Sequence, residues 1–298
     1  MLARLTALIL LILSTGTSAA DTLELETAQG VVSVPAAPDR VAVFDVAVAD
    51  TLDALGVSVA GTMGSLYVDY LQDMTAQAEN LGSFFEPDFE AVHALAPDLI
   101  IVGSRSSDQL NAMARIAPSI DMTVGDDLWS DAITRLRSYG QLFNVAEKAA
   151  ALEQALNKRL AQAREVVQGR GDALVIMTNG PKISAYGAGG RFGWLHKDVG
   201  LSEAAPETGA STHGEAISFE FIKAVDPDWL IVVDRLAAIG QPGESAAATL
   251  DNAIMHQTRA WSSGQVIYLN AADIYIAGGG IQSMMRTLDD LIAGFQGR

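Results

Sequence analysis

The chain has 298 residues, room for two domains at ~150 residues each, and its 49% hydrophobic and 18% charged content excludes a disordered or fibrous protein. Lys and Arg number 19 against 36 Asp and Glu, a net charge of -17 that argues against nucleic acid and anionic lipid surfaces as partners. Zero Cys excludes a disulfide scaffold, a thiolate zinc site, an iron–sulfur cluster and a cysteine nucleophile.

The first element is the apolar run MLARLTALILLILSTGTSAAD. Arg4 supplies a positive start, Leu5 to Leu13 an apolar stretch, and Ser18-Ala19-Ala20 a small-residue cleavage site. This predicts a signal peptide over residues 1–20, cut after Ala20. No Cys follows the cut, so no lipid anchor is expected and the mature chain reads as a soluble periplasmic protein. No apolar run elsewhere reaches the ~18–20 residues of a membrane span.

Short, continuously apolar runs then alternate with helical patterns. The predicted strands are VAVFD (41–45), VSVAG (57–61), LIIVG (99–103), ALVIMT (173–178), KISAY (182–186), WLIVV (229–233) and QVIYL (265–269). Continuous apolar strands are those covered by helices on both faces. Helical stretches such as VADTLDALG and SDAITRLRSYGQLF lie between them, so the fold class is α/β with mainly parallel sheets. The longest helix, Ala146 to Val167, contains no Gly or Pro and stops before Gly169. At 1.5 Å per residue it is a rod of ~33 Å, a stiff connector in mid-chain.

A repeat makes two similar lobes. PDFEAVHALAPDLIIVGSR (87–105) aligns without gaps on ISFEFIKAVDPDWLIVVDR (217–235). Each copy reads as a short helix, a Pro-Asp turn and a buried strand running out into an Arg, with Asp88 and Ser218 as N-caps. Phe89, Val92 and Leu95 share one helical face, as do Phe219, Ile222 and Val225, so Glu90 and Glu220 point elsewhere. The expected organisation is a signal peptide over 1–20, an N-terminal lobe over 21–145, an interdomain helix over 146–168 and a C-terminal lobe over 169–298.

Ligands of open α/β sheets bind beyond the carboxyl ends of the strands, where Arg105 and Arg235 would flank a cleft. Arg191, in AYGAGGRFGWLH, follows a strand and a run of glycines that leave room for a ligand. That run fails the G-x-G-x-x-G spacing, because residue 192 is Phe. Three converging arginines in so acidic a chain call for an anion. Of the four histidines none has ligand spacing to another; His213, in the loop GASTHGEAIS, reads by itself as solvated. Trp129, Tyr186, Trp194 and Tyr275 are either core aromatics or cleft walls, and AADIYIAGGG places Tyr275 at a strand end before a glycine turn. No hydrolase signature such as G-x-S-x-G is present.

The long central helix, the two Pro-Asp strand units and the exported character resemble the type III substrate-binding proteins of ABC importers. RFGWLHKDVGL, STHGEAISFEFI, DPDWLIVVDR, LDNAIMHQTRAW and IYLNAADIYIAGGGIQSM resemble the subgroup that binds ferric catecholate siderophores of the petrobactin and enterobactin type. The resemblance implies two α/β lobes joined by a rigid helix, no catalysis, no intrinsic cofactor, and a monomer that delivers its cargo to a permease dimer. It implies that Arg105, Arg191 and Arg235 hold the anionic iron–catecholate. It implies that His213 and Tyr275 complete the coordination of Fe3+ when the siderophore offers four donors, and that Glu90 and Glu220 dock on the permease. No second aromatic stands beside Tyr275 in IYIAGGG, a local departure from the subgroup. Haem, cobalamin or a hydroxamate siderophore is the alternative cargo, and an exported hydrolase of an anionic substrate the alternative class.

Overall fold

The computed structural model describes residues 22–208 and 211–297. The expected signal peptide lies outside them. Among the described residues no helix is long and apolar enough to cross a membrane.

A hairpin, β1 (Thr22–Thr27) and β2 (Gly30–Pro35), opens the described chain. Its alternate residues Leu25 and Val34 are buried, and the Arg135 guanidinium of helix Leu128–Leu142 donates to the Glu26 carbonyl at 3.0 Å. The first lobe is then built on β3 (Val41–Val43), β4 (Gly61–Thr62), β5 (Glu79–Asn80), β6 (Leu99–Val102) and β7 (Ser119–Asp121). All pair in parallel in the order β5-β4-β3-β6-β7. The second lobe uses β8 (Asp172–Asn179), β9 (Lys182–Tyr186), β10 (Ser202–Glu203), β11 (Glu215–Ile217), β12 (Trp229–Asp234) and β13 (Val266–Tyr268). Its order is β11-β9-β8-β12-β13, with β10 on β8; β9 and β11 run antiparallel to their neighbours. The stretch 57–61 reaches strand conformation only at Gly61, where β4 begins. Val57 instead bonds back to Leu52 as helix Val46–Leu55 ends, so its β-branched residues cover a helix exit.

The repeat positions equivalent strands in both sheets. Asp88 and Ser218 cap helices Phe89–Leu95 and Phe219–Val225 by accepting from Ala91 N and Phe221 N. Both helices stop at a left-handed residue, Ala96 at φ 48° and Asp226 at φ 47°, immediately before the proline. The following aspartates then tie each turn to the lobe's first strand: Asp98 accepts from Arg40 N at 2.9 Å, and Asp228 from Asp172 N at 3.1 Å. These ties start β6 beside β3 and β12 beside β8. Val92 and Leu95 are buried as their helical spacing predicts, but Phe89 is 39% exposed.

Helix Ala146–Val167 matches the predicted rod and packs on helices Leu128–Leu142 and Ile281–Phe295. The latter crosses back onto the first lobe, where its N-terminus meets a buried carboxylate. Gly280 stands at the N-cap with no side chain to offer, and a Cβ there would collide with Asp50. Asp50 and Thr51 serve instead. Gln282 N and Ser283 N donate to Asp50 at 2.7 and 2.9 Å, Ile281 N to Thr51 Oγ1 at 3.3 Å, and the Tyr70 hydroxyl to Asp50 at 2.6 Å. This closes orphan donors of the helix with a carboxyl group at the positive end of its dipole.

Burial outweighs these hydrogen bonds and pushes the Asp50 carboxyl from 3.8 up to about 7. A carboxyl raised in the folded state contributes stability below its unfolded pKa and loses it as pH rises through the folded one. Urea stability of the wild type should therefore fall between pH 4 and 8, with Asp50 supplying on the order of 2–4 kcal/mol of the decline. Asp50→Asn should flatten that profile; an identical slope in both proteins would refute the assignment.

Candidate functional site

Arg105 lies in the 3-10 turn Ser104–Gln109 directly after β6, and Arg235 opens helix Arg235–Ala238 directly after β12. Arg191 projects from the turn after β9. That turn is closed by its own glycines: a Cβ on Gly193 would overlap the Ala188 carbonyl, and one on Gly190 would press on Tyr186. Gly190 and Gly193 are thus required by the packing of the turn, and Gly190 also borders the space beside Arg191. Glu203 fixes the turn further by accepting from Ala188 N at 2.7 Å.

The three arginines converge on one phenol. Their Cζ atoms lie 5.3 Å (Arg105), 4.9 Å (Arg191) and 6.0 Å (Arg235) from the centre of the Tyr275 ring. Arg235 Nε donates to Tyr275 Oη at 3.2 Å and its Nη1 to Asn179 Oδ1 at 3.3 Å. Arg105 reaches across the cleft, donating to the Tyr275 carbonyl at 2.8 Å and the Ile276 carbonyl at 3.3 Å. Among the described residues none of the three forms an ion pair with a carboxylate. Burial alone would raise the Tyr275 pKa, but the hydrogen bond from Arg235 and the charges of Arg191, Arg235 and Arg105 together bring it below its ordinary value of 10. Burial, then the like charge of Arg191, lowers the pKa of Arg105. Three cations drawn together with no carboxylate at ion-pair distance among the described residues call for an anion.

Tyr275 does not end a strand. β13 stops at Tyr268, and Asn270 caps a short helix, Ala271–Tyr275, by accepting from Asp273 N at 3.2 Å. The Asn-Ala-Ala-Asp start overrides the β-forming Ile and Tyr that follow it.

Two adjoining hollows flank the phenol. One, of about 330 Å3, lies between the lobes and is lined by Asp45, Arg105, Asp126, Leu128, Arg191 and Trp194 among others. The other, of about 240 Å3, lies on the second lobe, with Asn179, Lys182, Ser184, Tyr186, His213 and Arg235 in its wall. Arg191, Thr212 and Tyr275 belong to both. Trp194 and Tyr186 are thus cleft walls as well as buried residues, and Trp129 backs Trp194 at 6.3 Å. His213 is exposed, and its loop is held by the Tyr186 hydroxyl donating to its carbonyl at 2.9 Å. Gly214 permits this approach, since its φ is 75° and a Cβ would meet the Tyr186 ring. Lys182 and the aromatic stack of Phe84 on Tyr67, which meets Arg105 at 5.8 Å, escaped the sequence reading. Among the described residues no three His, Asp or Glu side chains cluster as a metal site. His213 and Tyr275 both stand in the wall of the second-lobe hollow.

The sequence model of the periplasmic binding protein family matches residues 41–272. The chain belongs to the periplasmic binding protein family. This periplasmic binding protein is 34% identical to the petrobactin-binding protein YclQ of Bacillus subtilis, over 88% of this chain and 84% of the relative. It is 31% identical to the ferric-anguibactin-binding protein FatB of Vibrio anguillarum, over 87% of this chain and 83% of that one. The crystal structure of YclQ superposes with a TM-score of 0.86 at 32% identity, covering 93% of this chain and 99% of that one. The catecholate-siderophore binding protein VctP of Vibrio cholerae gives 0.85 at 29% identity, with 92% and 100% covered. The architecture is thus the two-lobed α/β fold of the type III members of this family.

Proposed function

We propose that this protein is the substrate-binding component of an ABC importer, holding a ferric catecholate siderophore in the inter-lobe cleft for delivery to an inner-membrane permease. The observation that carries this reading is the trio of guanidiniums around the Tyr275 phenol, none of them in an ion pair among the described residues. The relatives named for petrobactin, anguibactin and catecholate binding support it. A tris-catecholate complex of Fe3+ carries charge -3, which three permanently charged arginines match. Haem, cobalamin and neutral hydroxamate complexes offer no such match. In this reading the protein is monomeric, catalyses no reaction, carries iron only as cargo, and works in the periplasm without a lipid anchor after loss of residues 1–20. Residues 21–145 and 169–298 form its lobes and 146–168 their connector.

Tryptophan-quenching titration against ferric catecholate, ferric hydroxamate and haem tests the ligand class; Trp194 in the cleft wall provides the reporter. A visible catecholate-to-iron charge-transfer band should appear with the first ligand, and tighter binding of haem or hydroxamate would overturn the reading. His213 and Tyr275 serve in this proposal as iron donors for ligands that leave two coordination positions open. The His213→Ala, Tyr275→Phe double variant should then lose a tetradentate bis-catecholate far more than a hexadentate tris-catecholate. Equal losses for both would assign the pair to packing.

Glu90 and Glu220 serve in the same proposal as docking residues for the two halves of the permease. Both are exposed in the first turn of the repeated helix.

A further inference from the structure

The two hollows beside Tyr275 differ in charge. In the inter-lobe hollow Arg105 and Arg191 share the wall with two carboxylates, Asp45 and Asp126. The wall of the second-lobe hollow carries Lys182, Arg191 and Arg235 and no Asp or Glu. In a chain of net charge -17, three cations around 240 Å3 without an acid in the wall are a local reversal of the whole molecule.

Strand geometry explains how Lys182 comes to be there. β9 alternates, with Ile183 and Ala185 buried in the core at 5% and 0% exposure and Lys182, Ser184 and Tyr186 on the other face. Cross-strand pairing sets Asn179 of β8 opposite Lys182 and Met177 opposite Ser184, and all four side chains line the hollow. Lys182 is exposed, and among the described residues it makes no ion pair. An ammonium on a flexible stem at the mouth of this hollow can follow an anionic arm that the fixed Arg235 fork cannot reach.

We propose that Lys182 is a fourth cation of the ligand site, and that the second-lobe hollow rather than the inter-lobe one holds the negative centre of the bound complex. The proposal rests on the siderophore reading above and adds to it a preference by ligand charge. The cleft favours complexes carrying a third anionic arm over bis-chelates of charge -1 and over neutral ones. The inter-lobe hollow, with its carboxylates beside Leu128 and Trp194, takes the less charged part of the ligand.

The test is a quenching titration of the mature chain and its Lys182→Ala, Lys182→Arg and Lys182→Glu variants. The probes are a synthetic hexadentate ferric tris-catecholate and a tetradentate ferric bis-catecholate, each at low and high salt. Lys182→Ala should weaken the tris-catecholate about tenfold at low salt and the bis-catecholate less, with Lys182→Glu worse and Lys182→Arg close to wild type. The loss should shrink as salt screens the exposed charge, which a packing role would not do. Because Lys182 is exposed, thermal melting should be unchanged in all three variants. Wild-type binding of both probes with Lys182→Ala within twofold of it, or a loss independent of ligand charge and salt, overturns the Lys182 assignment alone. Failure of the wild type to bind either probe removes the siderophore reading, and this inference with it.

Discussion

Replacing Arg191 and Arg235 together by Ala should weaken binding of a ferric tris-catecholate by about a hundredfold or more. Each single replacement should cost more than about 1.5 kcal/mol, the scale of a hydrogen bond to a charged group. The two guanidiniums carry different burdens. Arg235 already donates to Tyr275 Oη and Asn179, so its fork is held in place before a ligand arrives. Arg191 stacks over the same ring at 4.9 Å from a turn rigidified by Glu203 and two glycines. Neither pays much ordering entropy on binding, which is why their loss should appear almost fully in affinity. Arg105 is different, since it ties the cleft together through the Tyr275 and Ile276 carbonyls; its removal should also lower thermal stability. The double variant should further raise the Tyr275 pKa, because burial then acts on the phenol with two of its three cations gone. Ultraviolet titration of the phenolate reads this without any ligand. Normal catecholate binding by all the single variants would show that the cleft is not the site.

Much of this arrangement was legible because its causes are local. The Asp98 and Asp228 ties, the left-handed residue before each proline and the capped helix of seven residues are all encoded within the repeated segment, so the repeat announces two matched strand ends. The Ala146–Val167 helix was readable to the residue because nothing in it competes with helix propensity. Strands β5, β7, β10 and β11 escaped notice because two or three residues cannot display a period. The glycines at 278–280 read only as a turn, and their sequence does not show that Gly279 and Gly280 admit Val124 and Asp50 of the other lobe. No local pattern reveals a cap supplied from more than two hundred residues away. Lys182 was hidden for a related reason: its strand was legible, but only the pairing with β8 shows which face of it borders the cleft.

Double replacement of Glu90 and Glu220 by Ala or Lys should abolish siderophore uptake in cells while leaving affinity in vitro unchanged. The two carboxylates occupy one position of a duplicated unit, each a residue after the start of a helix whose inward face is anchored by Val92 or Ile222 at 0% exposure. Helix-dipole placement would account for an acid there, and Glu220 is indeed held below the ordinary carboxylate range by its own backbone N–H and by Ser218. That local benefit explains either residue alone but not why both lobes present an acid at the same surface position. A permease built of two related halves needs two such points, one on each lobe. The neighbouring surface on the first lobe adds two exposed aromatics, Phe85 at 71% and Phe89 at 39%, which a docked partner would cover. Charge pairs at a rim govern encounter and orientation more than final affinity, so transport by the single variants should be less salt-sensitive than that of the wild type. Lys should be worse than Ala, since it reverses the charge offered to the permease. Normal uptake by the folded, exported double variant would leave helix capping as the sole role of the two glutamates.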